Sequence, residues 1–232
     1  MLPKGFLGQL SDWVVEQTGK DKAAREGTSD IFDLHKHLNK TDEPEKIVGL
    51  FSEWLVFDQK QKIFNNQTGL EFFTSHNPLY LSDSEIRAYK DLLKFEVGLF
   101  EVKEIEMGKG IILESITGRK KNFVYDVNAS ASLKPNDTVW IRIAPVGGMY
   151  YAVGSIFFSM PVKIMAGMRE AMSSWKNNSF DARQIAEWVT NSGEISDIQK
   201  ADSSFVFKTY TEIETDFVSA LKRCGMENFF TL

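Results

Sequence analysis

The stretch that most constrains this chain is GLFEVKEIEMGKGIILESITGRKKNFVYDV, residues 98–127. Apolar residues recur at every second position and two glycine-bearing turns interrupt them, which is the signature of short strands joined by tight turns. Phe100 and Val102 share a face, yet the next apolar pair is Ile105 and Met107. That change of phase predicts a β-bulge at Lys103-Glu104, and a bulge bends its strand. Gly108-Lys109-Gly110 and then Thr117-Gly118-Arg119-Lys120 reverse the chain. Phe123, Tyr125 and Val127 alternate with Asn122, Val124 and Asp126. After LKPND, Val139, Ile141 and Ile143 face one way and Trp140 and Arg142 the other, and Gly147-Gly148 suits a hairpin into Tyr150 and Tyr151. Strands are therefore expected near 98–107, 110–116, 121–127, 138–144 and 149–155. Paired in sequence order, they would form a five-stranded antiparallel meander curling into a small barrel.

Helical periodicity flanks this sheet. Phe6, Leu10, Trp13 and Val14 recur at helical spacing, as do Ile31, Leu34 and Leu38, and then Ile47, Leu50, Phe51, Trp54 and Leu55. TDEPEK offers Asp42 or Glu43 as a cap and puts Pro44 in a first turn, where its missing N–H is harmless. Ser82 and Glu85 have capping-box spacing, with Leu81 and Ile86 as a hydrophobic staple, ahead of a helix to about Phe95. Helices are expected again after Pro161, around Ile185, Trp188 and Val189, and from about Thr209 to a Gly225 cap. The fold class is thus α+β: N-terminal helices (1–96), a central five-stranded antiparallel meander or small barrel (97–156) and C-terminal helices (157–232), packed as one compact unit.

Composition narrows function. A 43% hydrophobic share supports a real core without a metal or disulfide, and the net charge of −5 disfavours broad nucleic-acid binding, which needs a wide basic surface. The one cysteine, Cys224, rules out a disulfide framework or a cysteine-rich zinc site and reads as a packing residue. No signal peptide or membrane span is legible, since the most apolar stretch, 149–168, is broken by Ser155, Ser159, Pro161 and Lys163. A cytoplasmic protein is expected.

EWLVFD (53–58), TGLEFF (68–73), GLFEV (98–102), ESITG (114–118) and PNDTVWIRI (135–143) carry a resemblance. The region from Trp54 to Val153 resembles one found in uncharacterised bacterial proteins that often end in a SEC-C motif, the small zinc module also present in the SecA translocation ATPase. The resemblance implies a shared helix-plus-barrel module and no established chemistry. The zinc motif itself is absent here, because no cysteine cluster exists.

Four constellations merit weighing. Asp30, Asp33 and His37 fall at i, i+3 and i+7, so on one continuous helix two carboxylates and an imidazole would share a face and could hold a divalent metal. The alternative is a solvated stripe with local pairing. Met160, Met165, Met168 and Met172 could bind soft copper(I) or give a partner an adaptable surface, but core packing is the better reading, since Val162 and Ile164 sit among them and no Cys or His lies nearby. Arg119, Lys120 and Lys121 sit at a hairpin tip and, with Trp140, Tyr150 and Tyr151, could serve single-stranded nucleic acid, or be a solvated turn. Arg142 reads as a solvated arginine or a partner for Glu101 or Glu114, and Asp58, Thr68 and Asp137 read as caps and turns. No nucleotide-loop, zincin or nucleophile-elbow motif is present.

The expectation is a non-catalytic recognition protein with no catalytic residue, metal or cofactor. Its partner would be another protein, bound through Arg119, Lys120, Lys121, Trp140, Arg142 and Tyr151. An RNA- or ribosome-associated role for the barrel loops comes second, disfavoured by the acidic charge. A metal-dependent enzyme centred on Asp30, Asp33 and His37 comes third.

Overall fold

The computed structural model describes residues 6–40, 44–116 and 120–154, with 182, 183 and 186. Arg119, the methionine group, Cys224 and the helices expected beyond Pro161 and Thr209 lie outside the described residues, apart from Ala182, Arg183 and Ala186, which are helical. The described residues up to Leu81, with 182, 183 and 186, belong to one compact unit, and Ser82 onward to 154 to a second.

The first unit is helical: α1 (Phe6–Lys20), α2 (Lys22–Phe32), α3 (Leu34–Leu38), α4 (Pro44–Phe57) and α5 (Gly69–His76). Pro44 opens α4 as its spacing predicted, and Ile47, Leu50, Phe51, Trp54 and Leu55 are all buried. Thr68 and Glu71 close a reciprocal capping box on α5. Directly after that cap, Gly69 lets α1 approach, since a Cβ there would lie 2.5 Å from a Val14 methyl. Trp13 stacks on Phe64 and Phe72, so ring packing ties α1 to α5.

The second unit begins with α6 (Asp83–Leu92), capped by the expected Ser82–Glu85 box. Then come β1 (Glu96–Glu106), β2 (Gly110–Ser115), β3 (Lys121–Tyr125), α7 (Val127–Ser132), β4 (Thr138–Val146) and β5 (Met149–Ala152). The bulge falls where the phase change placed it, with the β1–β2 register slipping between Val102 and Glu104. Phe100, Val102, Ile111, Leu113, Val124, Val139, Ile141 and Ile143 fill the interior.

The strand order corrects the meander. The barrel is closed as β1-β2-β3-β5-β4, with β4 returning beside β1 and β5 pairing parallel to β3. Three successive hairpin strands and a fourth that returns beside the first make a Greek key. The cause is local. β3 stops at Tyr125 because Asp126 turns into an N-cap, its carboxylate accepting from the Ala129 N–H at 2.8 Å. The six-residue α7 then carries the chain across to the far side of β1. Ser130 holds α7 against the β1–β2 turn by accepting from the Gly108 N–H at 3.1 Å.

Candidate functional site

The residues singled out from sequence divide between interior and surface. Trp140 and Arg142 are 0% exposed. They do point away from Val139, Ile141 and Ile143, but that outer side of β4 is covered. Helix α6 lies against β4 and presents a buried Ile86, Tyr89 and Leu92. The Arg142 guanidinium sits 4.3 Å from the Phe95 ring centroid, a cation–π arrangement, and the Arg142 carbonyl accepts from the Val153 N–H. Arg142 is therefore neither solvated nor the partner of Glu101 or Glu114. Those two carboxylates instead flank Lys103, at 2.6 and 3.4 Å, and hold its ammonium pKa above the ordinary lysine range. Burial also pushes the Tyr89 hydroxyl up to about 12.

Lys120 and Lys121 are exposed beside the β2–β3 turn. The Lys120 ammonium donates to Glu96 at 2.8 Å and to the Tyr150 hydroxyl at 3.1 Å, and these bonds raise its pKa, Glu96 first. Tyr151 is half-buried on the outer side of β5 and tilts against Tyr125 at 5.6 Å between ring centroids.

Asp30, Asp33 and His37 are not brought together. Asp33 adopts a left-handed conformation, φ 59°, which ends α2 and breaks the helix on which the three would have shared a face. Asp33 points to solvent, where Lys36 bonds it at 2.9 Å and lowers its pKa. His37 is instead buried, edge-on to Phe32. Among the described residues no group of three or more His, Cys, Asp or Glu is placed to hold a metal ion.

The surface feature that sequence reasoning missed is an open cleft of about 370 Å³ on the barrel wall, lined by Glu106, Lys109, Phe123, Tyr125, Gly148, Met149 and Tyr150. Phe123 and Tyr125 alternate with the buried Asn122 and Val124, so both rings stand outward on β3, meeting edge-to-face at 4.8 Å. Tyr125 is 40% exposed, and Met107 and Val127, at 73% and 58%, lie just beyond the adjoining strand ends. Gly110 is buried between Glu106 and Tyr125, its partners in register on either side, where β2 and β3 approach closely. A Cβ there would come within 2.1 Å of the Val124 carbonyl oxygen. The alternation of 121–125 contained this signal, since it set Lys121, Phe123 and Tyr125 on one face, but only the strand order shows that no described helix packs over that face as α6 packs over β4.

A helical unit and a small closed Greek-key barrel, with an aromatic cleft on the barrel wall, define an α+β protein. The chain belongs to a family of unknown function, DUF7986, which it matches over residues 7–191. No curated protein and no solved structure matches it. Among the described residues no helix is long and apolar enough to cross a membrane.

Proposed function

We propose that this chain is a non-catalytic recognition protein whose barrel wall binds another protein. The observation that carries the reading is the charge-balanced aromatic cleft. Residues 82–154 hold ten acidic and ten basic side chains. Lys103, Lys109 and Lys120 around the wall are each matched by a carboxylate. Such a surface has rings to bury in an interface and little net field to attract a polyanion. The resemblance to uncharacterised bacterial proteins supports a bacterial origin.

One observation favours RNA as a second reading. Five-stranded Greek-key barrels of the oligonucleotide-binding type take ligands on strands 2 and 3 and between the β1–β2 and β4–β5 loops. Here Lys109, Phe123 and Gly148 come from those same places. This is an analogy of fold, and fold does not fix function.

Affinity capture from native lysate, with and without nuclease, tests the choice. The expected result is a protein that stays bound after nuclease and is lost with Tyr125→Ala, a change worth about 2 kcal/mol or more at an interface hot spot. Nuclease-sensitive capture would favour the RNA reading. In that case, neutralising Lys120 and Lys121 should flatten the salt dependence by roughly one unit per lost phosphate contact.

A further inference from the structure

The register of the barrel sets side chains of this wall in two rows that cross the strands, of which Phe123, Glu106 and Tyr125 line the cleft and the others border it. One row runs Glu104, Ile112, Phe123, and the other Glu106, Gly110, Tyr125, Tyr151. Both rows are acidic at the β1 end and aromatic at the β3–β5 end. Glu106 pairs with Lys109 at 3.3 Å, but both side chains are about half exposed or more, and such a pair exchanges readily. Glu104 is exposed and forms no ion pair with any described residue.

We infer that the cleft takes an extended, proline-rich segment of a protein partner, with a basic residue at the end that reaches β1. The inference rests on the protein-binding reading and names its ligand class. From β1 to β5 is three strand spacings, roughly 14 Å, which a polyproline II segment spans with about four or five residues. A cleft this shallow gives little contact area per residue. Ordering a flexible chain costs about a factor of ten in binding constant for each residue fixed, whereas a polyproline II segment is already ordered. Proline rings pack on aromatic faces, and β3 and β5 offer the exposed Tyr125 with the half-buried Phe123 and Tyr151 beside it. The acidic end selects a cation and repels phosphate, so charge separates this occupant from a nucleic acid.

Calorimetric titration of the full chain with three synthetic decapeptides tests this: nine prolines ending in arginine, nine prolines ending in glutamate, and a Gly/Ser sequence ending in arginine. The proline–arginine peptide should saturate below about 1 mM and bind at least about tenfold tighter than either control. Tyr125→Ala should weaken it about tenfold or more while Tyr125→Phe keeps it, and Glu104→Gln should narrow the preference for arginine over glutamate. Circular dichroism melts establish that each variant is folded. Absence of saturation by the proline–arginine peptide, or binding indifferent to Tyr125→Ala, overturns the inference. If the Gly/Ser–arginine peptide binds equally well through Tyr125, proline recognition falls and the protein-binding reading stands. If only a uridine decamer binds the wall, both fall.

Discussion

Burial pushes the carboxyl of Asp126 above the usual aspartate range, although N–H bonds from Ala129 and Asn128 favour its charged form. A carboxyl whose pKa is raised on folding is easier to bury protonated than charged. Its contribution to stability is therefore greatest below the ordinary value of 3.8 and is lost as pH rises through the folded-state value. Asparagine caps a helix as well as aspartate and carries no charge. Asp126→Asn should thus be at least as stable as the parent at neutral pH and lack this pH dependence. Asp126→Ala should be about 1 kcal/mol less stable than Asp126→Asn, as read by urea denaturation between pH 4 and pH 8. Gly110 is constrained by space: Gly110→Ala forces its methyl onto the Val124 carbonyl and should cost about 1–3 kcal/mol in the same assay. Neither property is visible in a one-dimensional pattern. Asp126 continues the period-2 alternation that predicts a strand over 121–127, and Asp33 sits within a helical periodicity that its own left-handed backbone breaks. Aspartate tolerates that conformation better than most residues, so spacing alone does not reveal where it is used.

Helix α6 determines what β4 can do. Alternation along Thr138–Val146 assigns two faces correctly but is silent about cover, and here both faces are buried, one by the barrel interior and one beneath α6. Trp140 is therefore a packing residue, and Trp140→Ala should cost about 3–5 kcal/mol of folding free energy in urea denaturation. A variant with parental stability would show that the α6–β4 contact is loose. The same helix reaches the next turn, where Asp91 accepts from the Gly147 N–H at 3.1 Å while Lys94, its stronger partner, lowers the Asp91 pKa. The box that starts α6 was legible because its chemistry is local: Ser82 and Glu85 satisfy each other's backbone donors. Ser82→Ala should remove about 1 kcal/mol from the stability of the second unit. Helix α7 was not legible. Its residues Val127–Ser132 are too few to show a helical period, and with α7 unseen the crossover that makes β5 parallel to β3 was unseen too.

For the whole molecule, the strand number and bulge followed from the sequence, whereas the closure did not, because strand order is settled by contacts distant along the chain. Closure is uneven. β1 is joined to β2 and to β4 by six residue pairs each, whereas β3 and β5 meet through two, Val124 with Tyr150 and Tyr125 with Tyr151. Those partners are about 26 positions apart, so their pairing must overcome loop-closure entropy with little enthalpy in return. Amides along that seam should exchange with deuterium faster than those of β1, by a local opening that leaves the β1–β2–β4 sheet intact. Equal protection around the barrel would contradict this. The seam also runs beneath Tyr125 and Tyr151, which stand on its opposite lips. Any occupant that grips both rings would act as a clasp on the seam, and by linkage its binding free energy would appear as slower exchange in β3 and β5.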